Sequence, residues 1–313
     1  MPLISICIPA YKNVDFLQRL LDSISMQTFS DYEVVVTHDS ADEQVRELCM
    51  LYQQKIPLHY YRNKTVLNTP ENWNEGIRRA TGTWIKLMHD DDWFTENTAL
   101  EKFVQATKQY PAGAFFFAAF RNIDQDTGVE KEVRCNWWDL LMLSMSPLHL
   151  FKRVYIGNPS CTFIKRDLDL LYDNQFKWVV DFEYYIRCLQ KVKKNYHYID
   201  DILLNIGFNA QQVTKFTFRV AQVEIPESYK MADKLGYRIL RNIIVYDYYW
   251  RLHRNVSVRG EDDVKKYYTG TIHPILQQMI RCQQQLPLSL LKIGPVSKLL
   301  MMGNYLVSLF RKI

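Results

Sequence analysis

Four short apolar runs near the N-terminus, Ile4 to Ile8, Glu33 to Val36, Leu58 to Tyr61 and Trp84 to Met88, constrain the fold of this chain most. Runs that are apolar at consecutive positions belong to strands covered on both faces, as in a parallel sheet. Between the first two, Phe16, Leu17, Leu20, Leu21 and Ile24 recur at helical spacing. Val45, Leu48, Cys49 and Tyr52 do the same after the second. A third helix is predicted over Asn72 to Ala80, entered through Thr69-Pro70. The order β-α-β-α-β-α-β implies an α/β fold: a mostly parallel central sheet flanked by helices on both faces. Open sheets of this kind bind ligands at the carboxyl ends of their strands.

The fourth run leads directly into His89-Asp90-Asp91-Asp92-Trp93. Three adjacent carboxylates repel one another at a strand end, and a divalent cation such as Mg²⁺ or Mn²⁺ relieves that repulsion. A solvated loop tip is the bland alternative. Pro9-Ala10-Tyr11 and Asp39 also fall at carboxyl ends of strands, which favours a site over a tip.

Several function classes are excluded. The chain lacks a phosphate-binding G-x-x-x-x-G-K-[ST] loop, a dinucleotide G-x-G-x-x-G turn, a G-x-S-x-G elbow and an H-E-x-x-H helix. The histidines are scattered, so chemistry is expected to rest on carboxylates. The six cysteines form no CxxC pair and read as reduced, buried thiols of a cytoplasmic protein. The first residues carry no basic, long-apolar leader pattern. No run approaches the roughly 18 apolar residues of a transmembrane helix.

Further on, Ala112 to Phe120 predicts a buried strand, followed by a hairpin at Asp126-Thr127-Gly128. Ser160 to Ile164, Phe176 to Val180 and Tyr196 to Leu204 read as extended, with a helix opening at Asp181. After about Thr214 the pattern turns helical, over 217–235, 237–255, 261–285 and 288–311. From Tyr237 onward twelve Lys or Arg stand against four Asp or Glu. That contrast sets a division between an α/β body over 1–215 and a basic helical appendage over 216–313.

The order of motifs resembles family 2 glycosyltransferases. Strand one ends in Ile8-Pro9-Ala10-Tyr11-Lys12 and strand two in Asp39-Ser40-Ala41-Asp42. Then Asn74-x-Gly76-Ile77-x-x-Ala80-x-Gly82 precedes the three aspartates, and Asp181 with Arg187 six residues later resembles the base-bearing motif. The resemblance implies a GT-A fold over about residues 3–215 and an inverting enzyme with a nucleotide-diphosphate sugar as donor. It further implies that Asp39, Pro9, Ala10 and Tyr11 bind the base, with Trp73, Asn74 and Asp90 among the nucleotide contacts. Asp91 and Asp92 would hold Mn²⁺ or Mg²⁺, and Asp181 would act as general base. Trp73 stands where relatives often carry Arg, His89 where many carry the first Asp, and Val180 where many carry Glu. Glu183 is left to face the site or solvent, and Arg187 to pack beneath it. Gly157-Asn158-Pro159-Ser160 resembles an acceptor-side loop. Gln211-Gln212-Val213-Thr214, with Lys215 and Arg219 nearby, resembles a loop that closes over the diphosphate.

The resemblance also implies a UDP- or dTDP-sugar donor and a lipid-linked saccharide acceptor in bacterial surface-polysaccharide synthesis, at the inner face of the cell membrane. Leu288 to Phe310 mixes leucines with Lys292 and Lys298, followed by Arg311 and Lys312. Such a stretch suits an anionic membrane surface, the catalytic body or a second subunit equally. Nucleic acid is disfavoured, because the cations are dispersed among leucines. Two alternatives stay open. One is a sugar nucleotidyltransferase, for which no Gly-rich Arg loop follows strand one; the other is a non-catalytic domain, which would not need to keep its aspartates.

Overall fold

The computed structural model describes residues 1–208 and 219–310. The chain forms two compact units: Met1–Ser144 with Tyr155–Ala210, and Met145–Val154 with Gln211–Ile313.

The first unit begins with the expected alternation. Strand β1 (Ile4–Ala10) is followed by α1 (Val14–Ser25), β2 (Tyr32–His38), α2 (Gln44–Tyr52), β3 (Leu58–Arg62), α3 (Glu71–Arg79) and β4 (Trp84–Leu87). All neighbouring pairs in the order β3-β2-β1-β4 are parallel. Ile4, Ile6 and Ile8 of β1 and Val34 and Val36 of β2 pack in one core with Leu17, Leu20, Leu21 and Ile24 of α1. Glu33, the one charge in the second run, is buried; its Oε1 accepts from Ser5 Oγ at 2.6 Å and Thr81 N at 2.6 Å.

Beyond β4 the sheet becomes mixed. After β5 (Trp93–Phe94) and α4 (Ala99–Gln109) come β6 (Phe115–Asp124) and β7 (Glu130–Val133), the expected hairpin, then α5 (Trp137–Met145), β8 (Thr162–Lys165), α6 (Val180–Val192) and β9 (Tyr196–Phe208). Strand β8 inserts antiparallel between β4 and β6, and β5 pairs antiparallel with β9. These reversals position the site. An antiparallel β8 brings the loop before it, Gly157 to Ser160, beside the carboxyl end of β4. Pairing of Trp93 with Asn205 brings Gly207 beside Asp91. The indole of Trp84 stacks on Phe163 at 4.9 Å between ring centroids and meets Phe116 edge-on, locking β4, β6 and β8 together. Phe176 to Val180, expected to be extended, forms no strand and leads through a turn into α6.

The second unit is helical, and its long sequence patterns are broken into shorter pieces. Helix α7 (Ala221–Leu235) ends at Gly236, where φ is +79°, and a 3₁₀ turn leads to α8 (Ile243–Asn255). Then follow α9 (Glu261–Lys265), α10 (Pro274–Gln284), α11 (Leu288–Lys292) and α12 (Gly294–Ser308). Each of Pro274, Pro287 and Pro295 starts or precedes a new helix, where proline costs least, whereas Pro226 is accommodated inside α7. Among the described residues no helix is long and apolar enough to cross a membrane.

Candidate active site

The turn after β4 separates the three aspartates. His89, Asp91 and Asp92 each offer a ligand atom, and these atoms lie within 4.8 Å of one another. Asp90 turns instead toward β1, where its Oδ2 accepts from Tyr11 N at 3.3 Å. Asp92 is fully buried: Oδ2 accepts from Asn158 Nδ2 at 2.7 Å and Oδ1 from Gly207 N at 3.1 Å. Burial, and then the neighbouring Asp91, push Asp92 well above the usual carboxylate range; the same causes push Asp90 up to about 7. A cation reverses such shifts by favouring the ionised carboxylates. One imidazole with two carboxylates is a donor set that fits Mn²⁺ well and Mg²⁺ acceptably.

The surroundings hold this triad in place. Ser160 Oγ accepts from His89 N at 2.9 Å, and His89 lies against Trp73 with ring centroids 4.7 Å apart. Arg19 Nη2 donates to the Asp91 carbonyl at 3.0 Å while its guanidinium covers the Trp93 ring at 3.7 Å. Beneath, fully buried Lys86 donates to the carbonyls of Ser160 and Thr162; burial lowers its pKa to about 7. Two glycines allow the close approach. A Cβ at Gly207 would stand 2.4 Å from the Asp91 carbonyl. At Gly157, where φ is +90°, it would stand 2.6 Å from Cys161 Sγ.

On the nucleotide side of the family pattern, Asp39 N donates to the Ala10 carbonyl at 3.0 Å. The Asp39 carboxylate does not cap α2. It accepts from Leu67 N at 2.8 Å, Asn68 N at 2.7 Å and Asn63 Nδ2 at 2.9 Å, and so organises the loop after β3. Pro9 is half-buried, Ala10 is buried, and Tyr11 is half exposed, with Lys12 Nζ over its ring at 5.0 Å. Asn74, expected among the nucleotide contacts, has its amide already engaged. It is buried, its Nδ2 donates to the Tyr172 carbonyl at 2.8 Å, and its Oδ1 accepts from Tyr172 N at 2.8 Å. The amide is committed to joining α3 to the segment before α6. Trp73 is also buried, packed between His89 and the edge of Tyr172.

Asp181 lies in the first turn of α6. Its Oδ1 is buried without a hydrogen-bond partner among the described residues, and burial raises its pKa to about 7. It stands within electrostatic reach of Tyr172, which packs on Trp73, and of Tyr185, which donates to the Gly157 carbonyl at 3.2 Å. Asp181 is thereby linked through two aromatic side chains to the structures that hold His89 and Asp92. Glu183 does not face solvent: it is fully buried and paired with Arg187 at 2.6 Å. Arg187 also bonds the Leu171 carbonyl at 2.8 Å, consistent with packing beneath the site. Residues Gln211 to Lys215 lie outside the described residues; Arg219 is exposed, with its N donating to Glu224 Oε1 at 2.6 Å.

Residues 5–170 match the model of glycosyl transferase family 2, more than half of the chain. The chain belongs to this family. Among curated relatives, the chain is 24% identical over 168 residues to a GalNAc(5)-diNAcBac-PP-undecaprenol β-1,3-glucosyltransferase of Campylobacter jejuni, covering 50% of this chain and 54% of that protein. It is 27% identical over 192 residues to a putative colanic acid biosynthesis glycosyl transferase, WcaA, of Escherichia coli, covering 59% and 66% respectively. The alignments take in 38%, 59% and 54% of the length of the first three curated relatives it matches. In fold the chain is similar to S. aureus TarS 1–349, solved in complex with UDP-GlcNAc, with a TM-score of 0.58, 15% identity and 90% of each chain covered. The mixed α/β sheet is thus the GT-A type.

The sequence motifs single out Asp91, Asp92, Asp39 and Asp181 but leave out His89 and Arg19. For His89 the only signal is its position before the aspartates. Arg19 carries none, since it reads as one more polar position on an amphipathic helix.

Proposed function

We propose that this transferase is inverting and metal-dependent, moving a sugar from a UDP- or dTDP-sugar to a hydroxyl of a lipid-linked saccharide during surface-polysaccharide synthesis, at the cytoplasmic face of the membrane. The observation that carries the reading is Asp181 Oδ1, buried without a hydrogen-bond partner among the described residues, beside the aromatic wall of the proposed metal triad. A carboxylate that gives up its hydrogen bonds and is pushed toward neutral pH is well suited to take a proton from an acceptor hydroxyl. Inversion follows when that hydroxyl attacks the anomeric carbon from the face opposite the diphosphate.

His89, Asp91 and Asp92 would hold the divalent cation, with His89 oriented by Trp73 and Asp91 by Arg19. When bound there, the cation offsets charge on the departing nucleoside diphosphate. Asp39 would accept the N–H of a pyrimidine base through the lone pairs left after its three loop contacts, with Pro9, Ala10 and Tyr11 walling the base. Support for the acceptor class comes from the undecaprenol-linked substrate in the name of the Campylobacter relative, and support for the pathway from the colanic acid relative. The UDP-GlcNAc bound by the TarS neighbour supports a uridine donor.

The test is nucleotide release from a panel of UDP-, dTDP- and GDP-sugars with lipid-linked acceptor extracts, with and without Mn²⁺, and NMR of the product's anomeric configuration. Metal-dependent consumption of one donor, inversion, and loss of turnover in Asp181→Asn are expected. Triphosphate consumption would support the nucleotidyltransferase alternative. No donor binding with any metal would leave a non-catalytic domain.

A further inference from the structure

Helix α12 is amphipathic the wrong way round for a helix on a water-soluble surface. Ser297, Met301, Asn304 and Ser308, one side of it, are buried against the second unit. Leu299, Met302 and Leu306, recurring at helical spacing on the other side, and Phe310 just past its end, face outward, with Leu299 69%, Leu306 58% and Phe310 92% exposed. A surface helix ordinarily buries its apolar stripe and exposes its polar one. Here the inversion is locked by hydrogen bonds. Ser297 Oγ accepts from Trp250 Nε1 at 3.0 Å and Arg254 Nη1 at 3.3 Å. Asn304 Oδ1 accepts from Tyr246 Oη at 3.1 Å and Gln278 Nε2 at 2.7 Å. Rolling the helix to hide its leucines would strand these buried polar groups without partners. The apolar stripe is therefore held outward by design of the polar side.

Charge says what covers it. From Val264 onward the sequence carries seven basic residues and no acidic one. Lys292 is exposed at the approach to α12, while Lys298, on α12 itself, is paired with Asp247 at 3.0 Å. A second copy would set one net basic stretch against another, twelve Lys or Arg against four Asp or Glu from Tyr237 onward, which disfavours it. An anionic bilayer surface satisfies both features, with acyl chains for the stripe and headgroups for Lys292 and the net basic charge. We infer that the exposed face of α12 lies in the interface of an anionic lipid membrane, parallel to its plane. This deepens the membrane side of the proposed function and uses none of the transfer chemistry.

The test is flotation of the full chain with vesicles of phosphatidylglycerol and phosphatidylethanolamine, and with neutral phosphatidylcholine vesicles. It compares the parent with the triple variant Leu299→Gln, Leu306→Gln, Phe310→Gln. Thermal melting checks the variant's fold and nucleotide release in vesicle-free solution checks its catalysis. The inference expects flotation on the anionic vesicles, at least tenfold weaker in the variant, with melting and nucleotide release unchanged. Equal flotation of the variant, absence of flotation, or a solution dimer broken by the variant would overturn it. Loss of nucleotide release in the parent sinks the transferase proposal and leaves this one standing.

Discussion

The imidazole of His89 lies against the indole of Trp73, ring centroids 4.7 Å apart at 38°, and Trp73 in turn meets Tyr172 edge-on at 5.0 Å. In the proposed metal site, Trp73 of α3 would orient the imidazole of His89. The expected consequence is that Trp73→Ala lowers Mn²⁺ affinity by about tenfold or more, the usual effect of removing an outer support of a metal ligand. Trp73→Phe should keep most of it. Titration calorimetry decides, and equal Mn²⁺ affinity in Trp73→Ala and parent would remove His89 from the ligand set.

Asp90 and Asp91 are neighbours in sequence with different surroundings, so their amide variants should separate. Asp91→Asn is expected to abolish Mn²⁺ binding and to slow transfer by about 100-fold or more, the scale of several kcal/mol of charge stabilisation. Asp90→Asn keeps an acceptor for Tyr11 N and should leave the Mn²⁺ affinity nearly unchanged. The reverse ranking would shift the metal register by one residue.

Asp181 gives a pH prediction with a definite sign. As a base it works ionised, so kcat/KM should rise with pH and level off above about 7. Stability runs the other way. The folded carboxyl has a pKa of about 7 against 3.8 when free, so the folded state holds the proton more tightly. A penalty for ionising it appears as pH climbs above the free value and is complete above about 7. Asp181→Asn should therefore melt higher than the parent at pH 8, by no more than about 4 kcal/mol at 1.36 kcal/mol per pKa unit, with the advantage shrinking toward pH 4. A flat pH profile for the difference in melting would show that Asp181 is not held protonated.

Asn74 is expected to matter for folding rather than for the donor. Asn74→Ala loses both bonds to the Tyr172 backbone and should cost about 1–3 kcal/mol in denaturant unfolding, with donor affinity little changed in the folded fraction. A large loss of donor affinity at unchanged stability would restore it to the nucleotide site.

The parallel half of the sheet was legible because its signal is local. Consecutive apolar residues in Ile4–Ile8 and the helical spacing of Leu17, Leu20 and Ile24 follow from covering each element on its own. The antiparallel half was not legible. Strand β8 enters between β4 and β6 from some seventy residues away in sequence, and nothing in Thr162–Lys165 states its direction. The breaks in the C-terminal helices were marked by Pro274, Pro287 and Pro295 but overridden by the longer apolar periodicity.

By itself the sequence determined the family, the carboxyl edge that holds the candidate site, and the residue types available there. Motif order and hydrophobic period survive without knowledge of neighbours. Only the tertiary structure decided which two of the three adjacent aspartates lie with His89, that the third bonds Tyr11, that Asn74 and Glu183 are paired in the interior, and that Asp181 Oδ1 has no hydrogen-bond partner among the described residues. Those outcomes depend on burial and on partners such as Asn158, Gly207 and Tyr172, brought in by long-range pairing. The outward leucines of α12 belong to the same class. Their spacing is visible in the sequence, but the face that turns inward is chosen by Trp250, Tyr246 and Gln278, which lie on other helices.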